Sequence, residues 1–465
     1  MAFPIDDLRI HAAGQGAPRA GGEFVLYWMQ GIAMRVEENF AFNFAAEQAN
    51  ALGLPLLVYQ GLRPDYPWAS DRHHTFILES VAELQQEFAD RGVQYAFFLA
   101  QRRTGARGDA GEGRERSPLV QLAERAALVV TEFSPTFIHP RQLKRLREKT
   151  ATPVVAVDTS CVVPLAAITK QHPTARGFRT DLWRHYPDHL RRVGYVAPRR
   201  SGGIDLPFDP TPVHDIPALV AGCDIDHTVP PSPTIRGGTK AARTRFAWFL
   251  AHGLPRYETD RNDPTLDATS RMSPYLHFGN ISVQELLLRA RAAGPADQFA
   301  KFEDETVTWR ELAHNFCFHD PKHRTVNAIP TWARAELSKH ESDPRHLYTD
   351  AQLEFGRTED ELWNACQRHL VRDGELHNYV RMLWGKAVLQ WTPNAAEALR
   401  ILEHLNHKYA LDGRDPNSYG GIFWVFGKFD RPFYRRPVYG TVRYQSTRAA
   451  KEKFDVAEYI KRSDG

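Results

Sequence analysis

The chain has 465 residues, a formal net charge of +3 and 42% hydrophobic residues. The length predicts at least two domains, and the near-neutral charge means that any nucleic-acid footprint must be local. No run approaches the roughly 18 apolar residues of a membrane helix, and the N-terminus lacks a signal-peptide layout. Four scattered cysteines fit a reducing compartment, so we expect a cytoplasmic protein. We also expect a monomer without membrane contact.

The N-terminal third alternates predicted strands and helices. Residues 1–22 are rich in Gly and Ala and predict a flexible leader, followed by an α/β domain at 23–165. Its strands are FVLYW, LPLLVY, VQYAFFLA, ALVVTEF and PVVAVD. Continuous apolar strands separated by helices predict a doubly wound parallel sheet that is covered on both faces. The charged, Gly-rich insert at 102–117 predicts a mobile surface loop.

The sheet carries no usual nucleotide motif. No GxGxxG follows the first strand, and GxxxxGK[ST] does not occur, so Rossmann-type dinucleotide binding and a P-loop are not supported. Such a sheet can still hold a ligand at the carboxyl ends of its strands.

The remaining sequence predicts a long linker and an all-helical domain. Residues 166–238 are rich in Pro and Gly, with one helix predicted around 180–193, and form the interdomain linker. From residue 239 to 465 helical periodicity dominates. The predicted fold class is therefore α/β followed by all-α.

Within the helical domain, one stretch at 361–392 places an arginine inside an aromatic stripe. His377, Arg381, Trp384, Val388 and Trp391 recur at offsets of four, three, four and three, which puts them on one helix face. An aromatic stripe is ordinary core in most proteins. A guanidinium, however, is almost never buried without an anionic or carbonyl partner, so a redox cofactor site is the competing interpretation.

Two clusters imitate metal sites. His314, Cys317, His319 and His323 lack a paired cysteine arm, and the region of His340 is not HExxH. The run at 412–417 superficially suggests a calcium loop, but it lacks the terminal bidentate Glu. We expect no metal.

A second stretch, DPTLDATSRMSPYLHFGNIS at 263–282, puts small hydroxyl residues before a helix, which suits either a simple cap or a diphosphate seat. Together with ETVTWRELAHNF, the stretch at 361–392, LNHKYALDGRDPNSYGGIFWVFGKFDRP and VYGTVRYQS, it resembles the class II cyclobutane-dimer DNA photolyases of the photolyase/cryptochrome superfamily. The resemblance extends from about residue 24 to about residue 455.

The resemblance implies that the helical domain binds FAD. Its phosphate contacts would fall on Tyr257, Thr269, Ser270, Arg271, Met272 and Ser273. Arg381, Asp412 and Asn406 would surround the isoalloxazine, with Arg381 and Asp412 as an ion pair and the Asn406 amide on N5. The α/β domain would carry a second antenna chromophore, namely a deazaflavin, a folate, a flavin or none.

The resemblance also implies an electron path and a lesion pocket. Trp384, next to the flavin, Trp363 in the middle and Trp391 outermost would carry electrons. Glu305, Trp309, Met382 and Trp424 would form the dimer pocket, in which Glu305 would hydrogen-bond a thymine carbonyl. From the residues alone, a solvated acidic helix face is the better interpretation of Glu305.

The C-terminal tail is basic. Lys428, Arg431, Arg435 and Arg436 are candidate DNA phosphate contacts, with a solvated surface as the alternative. The chain departs from the class II pattern at Asn378, Phe429 and Phe433, which puts DNA affinity in question more than flavin binding.

The implied function is light-driven repair of cyclobutane pyrimidine dimers in damaged DNA, in which reduced FAD donates an electron and recovers it after the ring splits. This is the reaction of a deoxyribodipyrimidine photo-lyase. A cryptochrome-like photoreceptor that binds flavin without repair is the alternative, and a flavin-independent DNA-binding module is a third. The latter would purify without colour. Sequence alone assigns no role to His377.

Overall fold

The computed structural model describes residues 5–12, 14–102 and 116–464. Six strands form one sheet in the order β1-β6-β5-β2-β3-β4, with β1 antiparallel to β6 and every other neighbouring pair parallel. The strands are β1 (Ile10–His11), β2 (Val25–Met29), β3 (Leu56–Leu62), β4 (Gln94–Leu99), β5 (Leu128–Glu132) and β6 (Val154–Val157). Most of the predicted insert lies outside the described residues.

Helices cover both faces of this sheet. They are α1 (Phe40–Leu52), α2 (Asp71–Asp90), α3 (Pro118–Arg125) and α4 (His139–Lys149). Along β2, Val25, Tyr27 and Met29 face one core, whereas Leu26 and Trp28 face another. Because successive residues of a strand point to opposite faces, apolar residues in succession require a covered sheet. The predicted doubly wound sheet is confirmed.

Part of the predicted leader is built into the fold, contrary to the expectation of a flexible leader for these residues. Strand β1 pairs with β6, and Arg9 is 1% exposed. Its guanidinium donates hydrogen bonds to the carbonyls of Asp158, Cys161 and Val162 in the loop after β6. Composition did not reveal this, because the partners are about 150 residues away in sequence.

The connecting segment contains two helices, α5 (Ala175–His189) and α6 (Ile216–Ala221). The Thr174 side chain caps α5 by accepting from the Gly177 amide, so this helix begins earlier than predicted.

The rest of the chain is helical, which confirms the second half of the predicted fold class. The first helices are α7 (Thr239–Trp248), α8 (Tyr257–Asp260), α9 (Ser273–His277), α10 (Val283–Ala293), α11 (Ala296–Glu303), α12 (Arg310–His319), α13 (Thr331–Lys339) and α14 (Asp350–Glu354). They are followed by α15 (Glu361–Asp373), α16 (Asn378–Gln390), α17 (Ala395–Tyr409), α18 (Pro416–Val425) and α19 (Val456–Asp464). No helix in the described ranges is long and apolar enough to cross a membrane.

Two π-helical turns interrupt this pattern, at Phe249–Gly253 and Asp304–Trp309. The second joins α11 to α12 and carries two predicted lesion residues. Single π turns inside helices occur frequently at functional sites.

Candidate functional site

The three predicted electron-transfer tryptophans form one contiguous chain. The rings of Trp363 and Trp384 are parallel within 5°, with centroids 6.3 Å apart. Trp391 meets Trp363 edge-on at 5.4 Å. Trp363 and Trp384 are buried and Trp391 is half-buried, so the chain runs from the interior toward the surface in the predicted order.

Hydrogen bonds fix the two inner rings. The Trp384 indole donates to Gln367 Oε1 at 2.9 Å, and the Trp363 indole donates to the Trp384 carbonyl at 3.0 Å. A carbonyl-type acceptor on each N–H also favours positive charge on the ring. Sequence reasoning missed Gln367, which lies one turn after Trp363 on α15 and therefore faces the same side.

Arg381 lies one turn before Trp384 on α16 and pairs with Asp412 at 3.0 Å. The cost of burying a guanidinium predicts an anionic or carbonyl partner, and the resemblance implied which one. Its Nε is buried without a hydrogen-bond partner in the described part of the chain. A buried donor without a partner is costly, so a ligand acceptor at this position would relieve that cost.

Asn406 is held close to this pair. Its Nδ2 donates to Ser418 Oγ at 3.0 Å, and that hydroxyl donates to the Asp412 carbonyl at 2.7 Å. Helix α17, the loop after it and the start of α18 are thereby tied together. Because the amide nitrogen is engaged, the carbonyl oxygen of Asn406 is the group left to meet a ligand donor.

His377 caps α16. Its Nδ1 accepts from the Tyr379 amide at 3.2 Å, while Nε2 is buried without a partner among the described residues. Burial lowers the pKa of His377 to about 4, so the ring is neutral near pH 7. The first residue of the predicted stripe therefore starts the helix, and the backbone of Arg261 faces its ring and opposes the lowering of its pKa.

The predicted phosphate seat is a loop supported by arginines. Arg245 donates to the Thr269 and Ser270 carbonyls at 2.6 and 3.2 Å. Arg271 has a positive φ of 56° and forms an ion pair with Glu375. Thr269 and Ser270 are half-buried, which leaves a polar surface beside a cation.

Two members of the predicted phosphate set differ from the rest. Met272 is 2% exposed and belongs to the core, so its backbone alone suits a phosphate. The Tyr257 ring lies 5.9 Å from Arg261 Cζ, and Arg261 pairs with Glu305. The structure therefore groups Tyr257 with the predicted lesion pocket.

Glu305 is ion-paired, not freely solvated. Its Oε1 lies 2.9 Å from Lys301 Nζ and 3.1 Å from Arg261. Trp309, four residues later at the end of the π turn, is 38% exposed. A large exposed indole beside a carboxylate is what a pocket for a flat polar base requires.

The other half of the predicted pocket stands on the same scaffold. After Trp309 the chain continues into α12, which packs against α18 so closely that a Cβ on Gly420 would lie 2.6 Å from Ala313 Cβ. Helix α18 carries the half-buried Trp424, and Met382 on α16 lies near its Gly421, where an added Cβ would come within 3.6 Å of Met382 Cε.

The basic tail differs from its prediction at one position. Lys428 is 7% exposed, donates to the Ala328 carbonyl and lies 4.1 Å from the centre of the Phe316 ring, so it is a buried residue and not a DNA contact. Its ammonium binds groups inside the protein because the chain turns inward after α18. Arg431, Arg435 and Arg436 are exposed.

Two further features of this tail bear on DNA. Arg435 pairs with Glu336 at 3.0 Å, and Tyr434 is 93% exposed between arginines. Phe433 lies 4.4 Å from Arg443 Cζ, whereas Phe429 packs on Phe316. The departure at Phe433 therefore lies beside the pocket, whereas Phe429 is half-buried against the core.

Within the described ranges, no group of three or more His, Cys, Asp or Glu side chains is placed to hold a metal ion.

The sequence resembles curated proteins over nearly its full length. The family model described as DNA photolyase matches residues 25–198. A deoxyribodipyrimidine photo-lyase of Methanothermobacter thermautotrophicus is 35% identical over 98% of this chain and 98% of that protein. One of Potorous tridactylus is 34% identical over 93% of this chain and 80% of that protein.

Solved structures share the fold. A class III photolyase from Agrobacterium tumefaciens matches with a TM-score of 0.68 and 17% identity, covering 97% of this chain and 88% of that one. A Sulfolobus tokodaii photolyase with two FAD molecules matches at 0.65 and 16%, covering 94% and 90%. A Synechocystis cryptochrome matches at 0.66 and 16%, covering 92% and 86%.

Proposed function

The chain belongs to the DNA photolyase family, and from that premise we propose that it repairs cyclobutane pyrimidine dimers in DNA by light-driven electron transfer, as a class II enzyme. The observation that carries the proposal is the chain of three contacting indoles whose inner end lies one helical turn from the Arg381–Asp412 pair. Such a path has a use where an electron must reach a buried acceptor. We propose that the protein acts as a monomer on damaged DNA.

The residues present suit FAD. Arg381 Nε is a buried donor without a hydrogen-bond partner among the described residues, and the Asn406 carbonyl oxygen complements a ring N–H. Arg271 and the hydroxyls of Thr269 and Ser270 suit a diphosphate. Reduced FAD, bound there, would supply an electron on absorbing blue or near-ultraviolet light.

In this proposal the tryptophans deliver electrons to oxidised FAD. Trp391 would be the outermost donor, and Trp363 and Trp384 would pass the electron inward across 5.4 and 6.3 Å between ring centres. Asp412 holds the Arg381 guanidinium in place while the charge nearby changes.

The lesion pocket would bind an extruded dimer. Trp309 and Trp424 offer apolar walls on which an already weakly stacked lesion can rest. As an ion-paired carboxylate Glu305 accepts hydrogen bonds and therefore suits a thymine N3–H, whereas Arg261 donates and suits a thymine carbonyl. Glu305 is thus assigned to the thymine N3–H and not to the thymine carbonyl that the sequence led us to expect.

Light-harvesting chemistry stays a prediction for the α/β domain. A second chromophore, whether deazaflavin, folate or flavin, would belong at the carboxyl ends of the parallel strands, where sheets of this kind bind ligands.

The decisive experiment is photorepair of a dimer-containing oligonucleotide by photoreduced protein, with dimers counted by chromatography before and after blue light. We expect light-dependent loss of dimers and none in the dark. A preparation that carries FAD but leaves the dimers intact would favour a cryptochrome-like photoreceptor. One observation already favours that alternative, since Lys428 is buried and Arg435 is engaged with Glu336.

A further inference from the structure

Helix α16 carries a fully buried lysine. Lys386 is 0% exposed, and its Nζ donates to the Val425 carbonyl at 2.7 Å. In the part of the chain that the structure describes, no carboxylate lies within ion-pair distance of this ammonium. Lysine is almost never buried without a paired charge, because burial of an ammonium is costly unless other contacts offset it.

The ammonium is directed at the end of α18 and at one indole. Val425 is the last residue of α18, where free carbonyls and the helix dipole favour a cation. Lys386 Nζ lies 5.0 Å from the ring centre of Trp424, and Arg443 Cζ lies 5.3 Å from the same ring. Arg443 is itself held by Asp430 at 2.8 Å.

A glycine makes this contact possible. A Cβ on Gly385 would lie 2.7 Å from Val425 Cγ2, so α16 and α18 approach each other closely next to Lys386. Lys386 is two residues after Trp384 and four after Met382 on the same helix. Helix α16, which carries Trp384 of the predicted electron path, thus also places Lys386 against Trp424 of the predicted pocket.

We propose that Lys386 is the positioning residue for Trp424: its ammonium orients the indole that forms one wall of the dimer pocket. The consequence for DNA rests on the proposed function, whereas the effect on the indole does not. Cation–π contacts that are shielded from water are the stronger ones, so loss of the buried ammonium leaves the ring with the partly exposed Arg443 alone and lets the ring shift.

Fluorine NMR tests the contact without DNA. The chain has ten tryptophans, which 5-fluorotryptophan labelling turns into separate resonances, and Trp424→Phe assigns the one of interest. We expect Lys386→Met to shift the Trp424 resonance and to leave that of Trp384 in place. Lys428→Met is the matched control, because it removes another buried ammonium that lies over Phe316.

An unmoved Trp424 resonance in Lys386→Met, or an equal shift in Lys428→Met, would overturn the proposal. If Lys386→Met does not fold, Lys386→Gln repeats the measurement with the same criteria, since it keeps a donor for Val425 and loses the charge.

The resonance also reports the charge of Lys386. Burial lowers the pKa of Lys386 to about 7; Asp430 opposes this shift and Arg443 adds to it. The Tyr439 hydroxyl, which also lies close to this residue, donates a hydrogen bond to the Lys386 backbone carbonyl. The ammonium is therefore lost as the pH rises through about 7, and we expect the Trp424 resonance to titrate there. A titration that persists in Lys386→Met would contradict the assignment.

Binding of a dimer-containing oligonucleotide in the dark tests the consequence. We expect Lys386→Met to raise Kd about tenfold, the order expected from a lost cation–π contact. In a Trp424→Leu background the same change should raise Kd less than about twofold, because leucine offers no ring to the ammonium. Equal losses in both backgrounds would refute action through Trp424. If the wild-type protein bound oligonucleotides with and without the dimer equally well, the proposed function would be refuted, whereas the NMR result would still stand.

Discussion

At Arg381, burial and charge together dictate a partner. The sequence places this guanidinium inside an apolar stripe, and the structure supplies Asp412 at 3.0 Å. The identity of the partner, 31 residues away, could not be derived from periodicity, and the resemblance to known flavoproteins supplied it. The same limit explains Lys428, because composition counts a charge but does not reveal whether it faces solvent or Phe316.

Trp384 is the residue at which recharging and repair can be separated. We expect Trp384→Phe to block photoreduction of oxidised FAD, because the step from Trp363 to the site loses its redox-active ring. Repair by chemically pre-reduced protein should be largely spared. Absorbance during illumination and dimer counts measure the two, and Trp248→Phe, which lies beside Arg245 outside the chain of indoles, serves as control. Equal loss of both activities in Trp384→Phe would assign this residue a different role.

Glu403 gives the stability a pH dependence. Burial raises the pKa of its carboxyl to about 7, opposed by Arg324, and its Oε1 has no hydrogen-bond partner among the described residues. The folded state then holds this proton above the unfolded pKa of about 4.3, so stability falls as the pH rises from about 4.3 to about 7.

We therefore expect Glu403→Gln to stabilise the protein by on the order of 2 kcal/mol at about pH 8 and hardly at all at about pH 4. Denaturant unfolding across this range measures the difference. A gain that does not change with pH would mean that the carboxyl is already ionised throughout.

Among the elements, those with local signals were predicted well. Strands β2 to β6 fall within two or three residues of their predicted apolar runs. The π turn at Asp304–Trp309 was missed, because one extra residue in a turn leaves the apolar pattern almost unchanged. Strand β1 was missed because two residues carry no periodicity.

The packing of α16 on α18 depends on Gly385. A Cβ there would lie 2.7 Å from Val425 Cγ2, so we expect Gly385→Ala to destabilise the protein by about 1–3 kcal/mol, although alanine favours helices. Gly421→Ala on α18 is the matched control, since its Cβ would lie at an ordinary 3.6 Å from Met382. Thermal unfolding measures both. If Gly385→Ala were as stable as Gly421→Ala, the close approach would not matter.

For the whole molecule, the question is how a sheet formed by the first third of the chain supports a site formed by the last third. Arg72 on α2 is 1% exposed and donates to the carbonyls of Leu370, Val371 and Arg372 at the end of α15. It also donates to the carbonyl of Tyr409 at the end of α17. One side chain of the α/β region thus caps the helices that carry Trp363 and Asn406. No sequence pattern marks this residue, because its partners lie about 300 positions away.

Removing Arg72 should therefore loosen the site from a distance. Arg72→Met keeps the apolar stem and leaves several buried carbonyls without donors, so we expect a loss of about 3 kcal/mol in unfolding free energy. Flavin release should precede loss of far-ultraviolet circular dichroism on heating, because the ends of α15 and α17 fray first. Arg72→Lys replaces the planar guanidinium by a single ammonium, so its unfolding free energy should lie between those of the wild type and Arg72→Met. A wild-type melting temperature with coincident transitions in Arg72→Met would mean that the two regions hold together without this cap.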